Sequence, residues 1–258
     1  VVNGADRQIS EIKSVGIACP GTVDNKNGIV AYACNLRMQN TELGAMIEKK
    51  LGKPVNLEND ANAAALGEYA VNGDNADSFV LITLGTGVGG GIIVDGKVVA
   101  GHHGAGGEIG HANVMHDETE TCNCGNKGCL EQYTSATGIV RLAKQELASS
   151  EEPSVLREEK ELSAKAVLDG YKSGDALSVR VMDKVGEILG GALAMFTAVV
   201  DPETIVIGGG VSKAGQPLID CIASHYKKYA FSACKETPIV IASLGNDAGI
   251  YGAAKMVL

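Results

Sequence analysis

Apolar positions along this chain fall into short uninterrupted runs separated by longer stretches of helical period, the order expected of alternating strands and helices. Val15–Cys19 is one such run, ended by Pro20-Gly21, and predicts a strand. Thr41 stands where a helix cap belongs. Leu43, Met46, Ile47 and Leu51 follow at helical spacing until Gly52 and Pro54 stop the helix. Residues 55–57 predict a short strand, 61–71 an alanine-rich helix, and 79–84, apolar but for Thr83, a strand buried on both faces. Residues 91–94 and 97–99 predict two strands joined by Asp95-Gly96, a strong hairpin signal. Residues 101–129 are polar, glycine-rich and aperiodic, and loops of that length usually carry function. From Ser135 the period is helical, broken by charged residues 151–161. The longest helix is predicted over 176–199, with Leu177, Val181, Val185 and Leu189 on one face. A strand over 204–207 runs into Gly208-Gly209-Gly210. A helix near 217–229, a strand over 239–242 and a closing helix from Asp247 complete an α/β pattern without fixed-period repeats.

Composition narrows the function classes. The 258 residues carry a formal net charge of −9, which argues against a sequence-independent nucleic-acid binder, since that activity needs a basic face. Hydrophobic residues make up 45% and charged residues 21%, as in ordinary globular domains. No apolar run reaches the roughly 18 residues of a membrane span, and Val1 to Ser10 lacks the basic flank and apolar stretch of a signal peptide. The 34 glycines are nearly twice the usual ~7% and are clustered, which points to loops in contact with ligands. Seven cysteines, at 19, 34, 122, 124, 129, 221 and 234, are an odd number without a secretory signal. That predicts reduced thiols and a cytoplasmic protein.

Four strings carry candidate chemistry. Gly85-Thr86-Gly87-Val88-Gly89-Gly90 satisfies G-x-G-x-x-G, yet a hairpin follows it where a dinucleotide fold would place a helix. Two readings remain, a tight β-bend or an anion nest of backbone N–H groups with the Thr86 hydroxyl added. Gly208-Gly209-Gly210 ends a buried strand, which suits either a structural turn or the close approach of a ring or ribose. Glu58-Asn59-Asp60-Ala61-Asn62 lies where a strand hands over to a helix. Asp60 is there either an N-cap or a carboxylate placed to accept a hydroxyl proton, with Asn59 beside it to hold a polyol. Cys122-x-Cys124-Gly-x-x-Gly-Cys129, with His111 eleven residues upstream, offers three thiolates and an imidazole, the closed tetrahedral set of structural Zn²⁺. His102, His103 and His116 are rival fourth ligands. Glu108 and Glu131 bracket the cluster, as solvated acids or as carboxylates for sugar hydroxyls.

Together with Gly16-Ile17-Ala18-Cys19-Pro20-Gly21-Thr22-Val23-Asp24, Gly107-Glu108-Ile109-Gly110-His111 and the Cys122 to Glu131 string, these motifs resemble the ROK family of sugar kinases, above all its bacterial ATP-dependent glucokinases. The resemblance runs in family order from about Val15 to the C-terminus. It implies an actin-like ATPase (ribonuclease H-like) fold of two α/β lobes with a cleft. Residues 1–75 would be the remainder of a small N-terminal lobe, and 76–258 a large C-terminal lobe with a zinc loop at about 101–131. It further implies phosphorylation of the 6-hydroxyl of a hexose, most simply glucose, with Asp60 as general base. Asn35, Asn59, Asp60, Glu108, His111 and Glu131 would bind the sugar. Gly85, Thr86, Gly87, Gly208, Gly209 and Gly210 would bind ATP, with Mg²⁺ arriving on the nucleotide. Structural Zn²⁺ would sit on His111, Cys122, Cys124 and Cys129. A hexose and ATP are the partners implied, in a homodimer or homotetramer without nucleic acid or membrane.

Family members begin with a D-x-G-G-T phosphate loop, and this chain contains no such string. The expectation is therefore a kinase shortened at its N-terminus, in which half of the phosphate clamp is missing and ATP binding is poor. N-acetylmannosamine kinases and other hexose kinases of the family share the same sugar ligands. The family's sugar-responsive repressors, which place a DNA-binding helix-turn-helix ahead of this region, are the rival of a different class.

Overall fold

The computed structural model describes residues 8–33, 36–72 and 78–258. By packing, the chain divides into two compact units, Val1–Asn75 with Gly91–Gly107 and Ser243–Leu258, and Ala76–Gly90 with Glu108–Ala242. Gly91–Gly107 and Ser243–Leu258 group with the first unit although they follow residue 75 in sequence.

In the first unit, strand β1 (Val15–Cys19) pairs in parallel with β5 (Val55–Asn59), in a register that sets Cys19 against Asn59. Between them lies an antiparallel meander, β2 (Thr22–Asp24), β3 (Ile29–Ala33) and β4 (Met38–Thr41). Cys19, Val23, Val30, Ala33 and Leu57 form the core of this region, with Ile17, Met38 and Leu43 packed against them. Helix α1 (Leu43–Leu51) has Glu42 at its N-cap, without a side-chain cap, and ends on Gly52 at φ 64°. Thr41, expected to cap it, instead closes β4, because the strand pairs as far as Thr41 against Val30.

Helix α2 (Asp60–Asn72) starts directly from β5 and packs on α8 (Ala248–Lys255). Small residues set that distance. A Cβ on Gly67 would lie 2.1 Å from the Ala248 carbonyl oxygen, and one on Gly252 would lie 1.6 Å from that of Ala63. The buried Glu68 carboxylate takes N–H bonds from Ser243 and Leu244 at 3.0 and 2.7 Å, and a hydroxyl bond from Ser243 at 3.0 Å. The alanine richness of α2 is thus a requirement of close backbone approach.

In the second unit, β6 (Ser78–Leu84) is paired in parallel with β9 (Thr204–Gly208), and β9 with β10 (Ile239–Ile241). The sheet order is β10-β9-β6-β7-β8, with β7 (Val88–Val94) and β8 (Lys97–Val98) antiparallel; β8 and β7 from Gly91 onward group with the first unit, and the rest of the sheet with the second. Asp95 and Gly96 join these two at φ 51° and 70°, the left-handed pair that a two-residue hairpin requires. The helices of this unit are α3 (Glu131–Thr134), α4 (Ala136–Ser149), α5 (Ala164–Ser173), α6 (Ala176–Val200) and α7 (Gln216–Tyr229). Leu177, Val181, Val185, Leu189 and Leu193 of α6 are almost wholly buried. At ~1.5–3 kcal/mol for each large apolar side chain, that stripe anchors the unit. Among the described residues no helix is long and apolar enough to cross a membrane.

Candidate functional site

The first unit presents the Glu58 to Asn62 turn at the carboxyl end of β5. Asn59, rather than Asp60, does the capping. Its Oδ1 accepts from Ala61 and Asn62 N–H at 2.8 and 3.0 Å, and its Nδ2 donates to the Gly21 carbonyl at 2.9 Å. Asp60 is left exposed, with Oδ1 accepting from the Ala61 N–H at 2.9 Å. The neighbouring Cys19 thiol is pushed up by burial and then by the Asp60 charge, which suits an inert core group rather than a nucleophile. Asn35, the remaining residue expected in this region, lies outside the described residues.

In the second unit, the carboxyl ends of two paired strands carry the two glycine segments. Thr83 of β6 is in register with Gly208 of β9, so the bend at Gly85–Gly87 and the turn Gly208–Gly210 lead away from adjacent strands. Ligands of open α/β sheets bind at such strand ends. The Gly85 N–H closes the bend on the Gly87 carbonyl at 2.9 Å, and Thr86 is exposed. The start of α4 holds the bend from behind, Ala136 donating to the Gly85 carbonyl and Thr137 Oγ1 to that of Thr86, at 2.8 and 2.9 Å. Gly209 sits at φ 82°, and a Cβ there would lie 2.5 Å from the Leu84 carbonyl oxygen, whereas Gly210 faces open space. Gly209→Ala is therefore expected to cost at least about 1–2 kcal/mol in denaturant unfolding, and Gly210→Ala much less.

The Cys/His loop is built in the same unit. His111 closes the short 3₁₀ turn Ile109–His111, and Gly110 lets that turn approach strand β7, since a Cβ there would lie 2.1 Å from the Val88 carbonyl oxygen. Gly125 and Gly128, at φ 91° and 72°, turn the chain so that Cys129 returns beside Cys122 and Cys124. Ligand atoms of His111, Cys122, Cys124 and Cys129 all lie within 4.8 Å of one another. The Cys124–Cys129 sulfur separation is 3.6 Å, and Cys122 Sγ is 3.9 Å from His111 Nδ1. Tetrahedral Zn²⁺ with ordinary bond lengths sets such edges at about 3.6–3.8 Å, so the donor set fits that ion. His111 is the imidazole in the cluster. The rivals His102 and His103 stack edge to face on each other at 4.6 Å in the first unit, and His116 is exposed outside the cluster.

Two acids meet this cluster. The far nitrogen of His111, Nε2, is 4.0 Å from Glu108 Oε2. Glu131, the first residue of α3, accepts the Val88 N–H through Oε2 at 2.9 Å while its Oε1 is 3.7 Å from Cys122 Sγ. Gly87 makes room for it, since a Cβ there would be 2.2 Å from Glu131 Oε2. One carboxylate thus ties the glycine bend to the thiol loop.

Sequence reasoning missed the clamp behind the loop. Glu118 accepts from Arg141 Nη2 at 2.6 Å, from the Tyr133 hydroxyl, and from the backbone N–H groups of Thr119 and Glu120. Arg141 stacks 4.8 Å over the Tyr133 ring. The Arg141 guanidinium first, then the Tyr133 hydroxyl, hold the Glu118 carboxyl at about 2. A carboxyl depressed in the fold contributes stability that is complete above its ordinary value of about 4.5 and is lost as pH falls towards 2. The melting temperature should accordingly fall more steeply between pH 4.5 and 2 in the wild type than in Glu118→Gln. Equal slopes would place the acid sensitivity elsewhere.

The ROK family sequence model matches residues 1–258. A glucokinase of Halalkalibacterium halodurans is 39% identical, over 99% of this chain and 79% of its own length. The crystal structure of a ROK-family glucokinase from Streptomyces griseus, in complex with glucose and AMPPNP, matches with a TM-score of 0.82 at 34% identity, covering 95% of this chain and 81% of that one. A ROK-family transcriptional regulator matches with a TM-score of 0.87 at 32% identity, covering 97% of this chain and 63% of that one.

Proposed function

This chain belongs to the ROK family, and from that premise we propose that it transfers the γ-phosphoryl group of ATP to the 6-hydroxyl of glucose, giving glucose 6-phosphate and ADP. The fold is the actin-like ATPase fold of ROK sugar kinases. Asp60 takes the proton from the 6-hydroxyl as its oxygen attacks the γ-phosphorus. The observation that carries this role is the division of labour at the end of β5, where Asn59 caps the helix and the Asp60 carboxylate stays exposed. Asn59, Asp60, Glu108, His111 and Glu131, with Asn35, hold the sugar hydroxyls. Gly85, Thr86 and Gly87 lie along the phosphates, and Gly208, Gly209 and Gly210 along the nucleoside. Phosphoryl transfer asks little covalent chemistry of the protein, so placement and charge stabilisation by these groups supply the rate.

His111, Cys122, Cys124 and Cys129 would hold Zn²⁺, which would supply a rigid anchor for the sugar-binding loop. Four protein ligands leave no position for a reactive water. With Nδ1 on the metal side, His111 keeps Nε2 for a sugar hydroxyl in a fixed tautomer. Mg²⁺ would come with the nucleotide, with no cage of protein carboxylates devoted to it.

The regulator similarity supports a second reading, a sugar-responsive repressor, because 97% of this chain superposes on such a protein at a TM-score of 0.87. The two separate in one experiment. ADP release by the full-length protein is measured with glucose, mannose, N-acetylglucosamine and N-acetylmannosamine. The kinase reading expects glucose-dependent turnover well above that with the N-acetylated sugars. Sugar binding without ADP release supports the repressor.

A further inference from the structure

We propose that Glu58 is a positioning residue for the proton acceptor, a buried carboxylate that fixes the turn on which Asp60 is carried; this rests on the reading of Asp60 as base. Glu58 is 5% exposed, and its two oxygens take three hydrogen bonds from neutral donors. Oε1 accepts the Asn59 backbone N–H at 2.9 Å and Asn62 Nδ2 at 3.1 Å, and Oε2 accepts Asn25 Nδ2 at 2.9 Å. A side-chain amide has one acceptor oxygen and presents an N–H to whatever faces its nitrogen, so glutamine cannot serve this set.

The donors span both sides of the base. Asn59 precedes Asp60, and Asn62 belongs to the first turn of α2. Asn25 comes from the turn between β2 and β3 and is itself exposed. With Asn59 capping the Ala61 and Asn62 N–H groups, the backbone around Asp60 is held from either side while its carboxylate stays exposed. Asn62 shows how one-sided the arrangement is. It is 1% exposed, its amide nitrogen is spent on Glu58, and its Oδ1 is buried without a partner. Glu58 alone dictates which way that amide faces. A group that must meet a hydroxyl at hydrogen-bond distance loses rate steeply when displaced, on the order of 10²-fold per ångström.

The test is a mutant set in the full-length enzyme with glucose and ATP as substrates. Glu58→Gln should lower kcat on the order of 10–100-fold, leaving the ATP KM and the acid limb of the kcat–pH profile where they are. Asn62→Asp should also lower kcat, because it sets a second buried carboxylate against the first. A purely structural loss would instead raise the ATP KM in step with the fall in kcat. Should Glu58→Gln fail to fold, Asn25→Ala decides, since it removes one donor from an exposed turn and should lower kcat several-fold. A Glu58→Gln kcat within twofold of wild type, an ATP KM that rises in step with the fall in kcat, or, in the fallback, an unchanged Asn25→Ala overturns the proposal. Asp60→Asn run beside them separates the two failures. Retained turnover there removes the base itself, whereas lost turnover with an active Glu58→Gln removes only the positioning role.

Discussion

Asp60→Asn is expected to lower kcat by about 10²–10⁴-fold, the usual contribution of a positioned general base, while the fold and glucose affinity persist. The structure says why the change is clean. Helix capping at this turn belongs to Asn59, and Asp60 is exposed, so no buried hydrogen bond depends on its charge. Its one backbone contact, Oδ1 with the Ala61 N–H at 2.9 Å, can be made by an asparagine oxygen as well. The amide cannot take up a proton from the attacking hydroxyl. Steady-state kinetics with equilibrium glucose binding checks this, and near-wild-type kcat refutes the assignment.

Cys124→Ala should release zinc, lower the melting temperature by several degrees, and raise the glucose KM on the order of tenfold or more. Cys124 is the exposed member of the cluster, so shortening it opens no cavity, and any loss reports on the metal. In the proposed function the route to the sugar runs through His111, whose Nδ1 faces the sulfurs and whose Nε2 faces Glu108. Without the ion the ring can turn and exchange tautomers, and the thiol loop loosens around Glu131, which also holds the Val88 N–H of the glycine bend. His111→Ala should do the same and more, because on the proposed reading it removes a metal ligand and a sugar contact at once. Metal analysis, thermal unfolding and glucose KM provide the check. Protein purified without chelator yet free of zinc would sink the idea, as would a Cys124→Ala variant with unchanged KM and melting temperature.

Long periodic elements were legible in the sequence because their signals are physical requirements. The α6 stripe had to be apolar, Asp95-Gly96 had to accept positive φ, and β6 had to be apolar over nearly its whole length to lie within a sheet. The meander β2–β4 was not legible. Its strands are three to five residues long and half-exposed, and polar residues such as Gln39 and Asn40 sit within pairing distance of a partner strand. The missed strand is also why Thr41 was read as a cap. In the candidate site, the Cys and His spacing marked its loop, since chelation demands those residue types close together. The clamp of Glu118 on Tyr133 and Arg141 left no such trace, its partners being separated by 15 and 23 positions with no spacing rule to connect them.

The crossing of α2 and α8 also governs the order in which this protein can be made. Gly67 and Ala248 touch at the backbone, yet 181 positions of the chain separate them as they emerge from the ribosome. At roughly 5–20 residues per second, helix α2 waits about ten to forty seconds for the segment that covers it. Until then the face of α2 that receives Gly252, and the Glu68 carboxylate that receives Ser243 and Leu244, stand open to other nascent chains and to chaperones. The second unit, whose chain from Glu108 to Ala242 is continuous, can mature in that interval. A chain that stops short of α8 therefore carries α2 with its packing face uncovered.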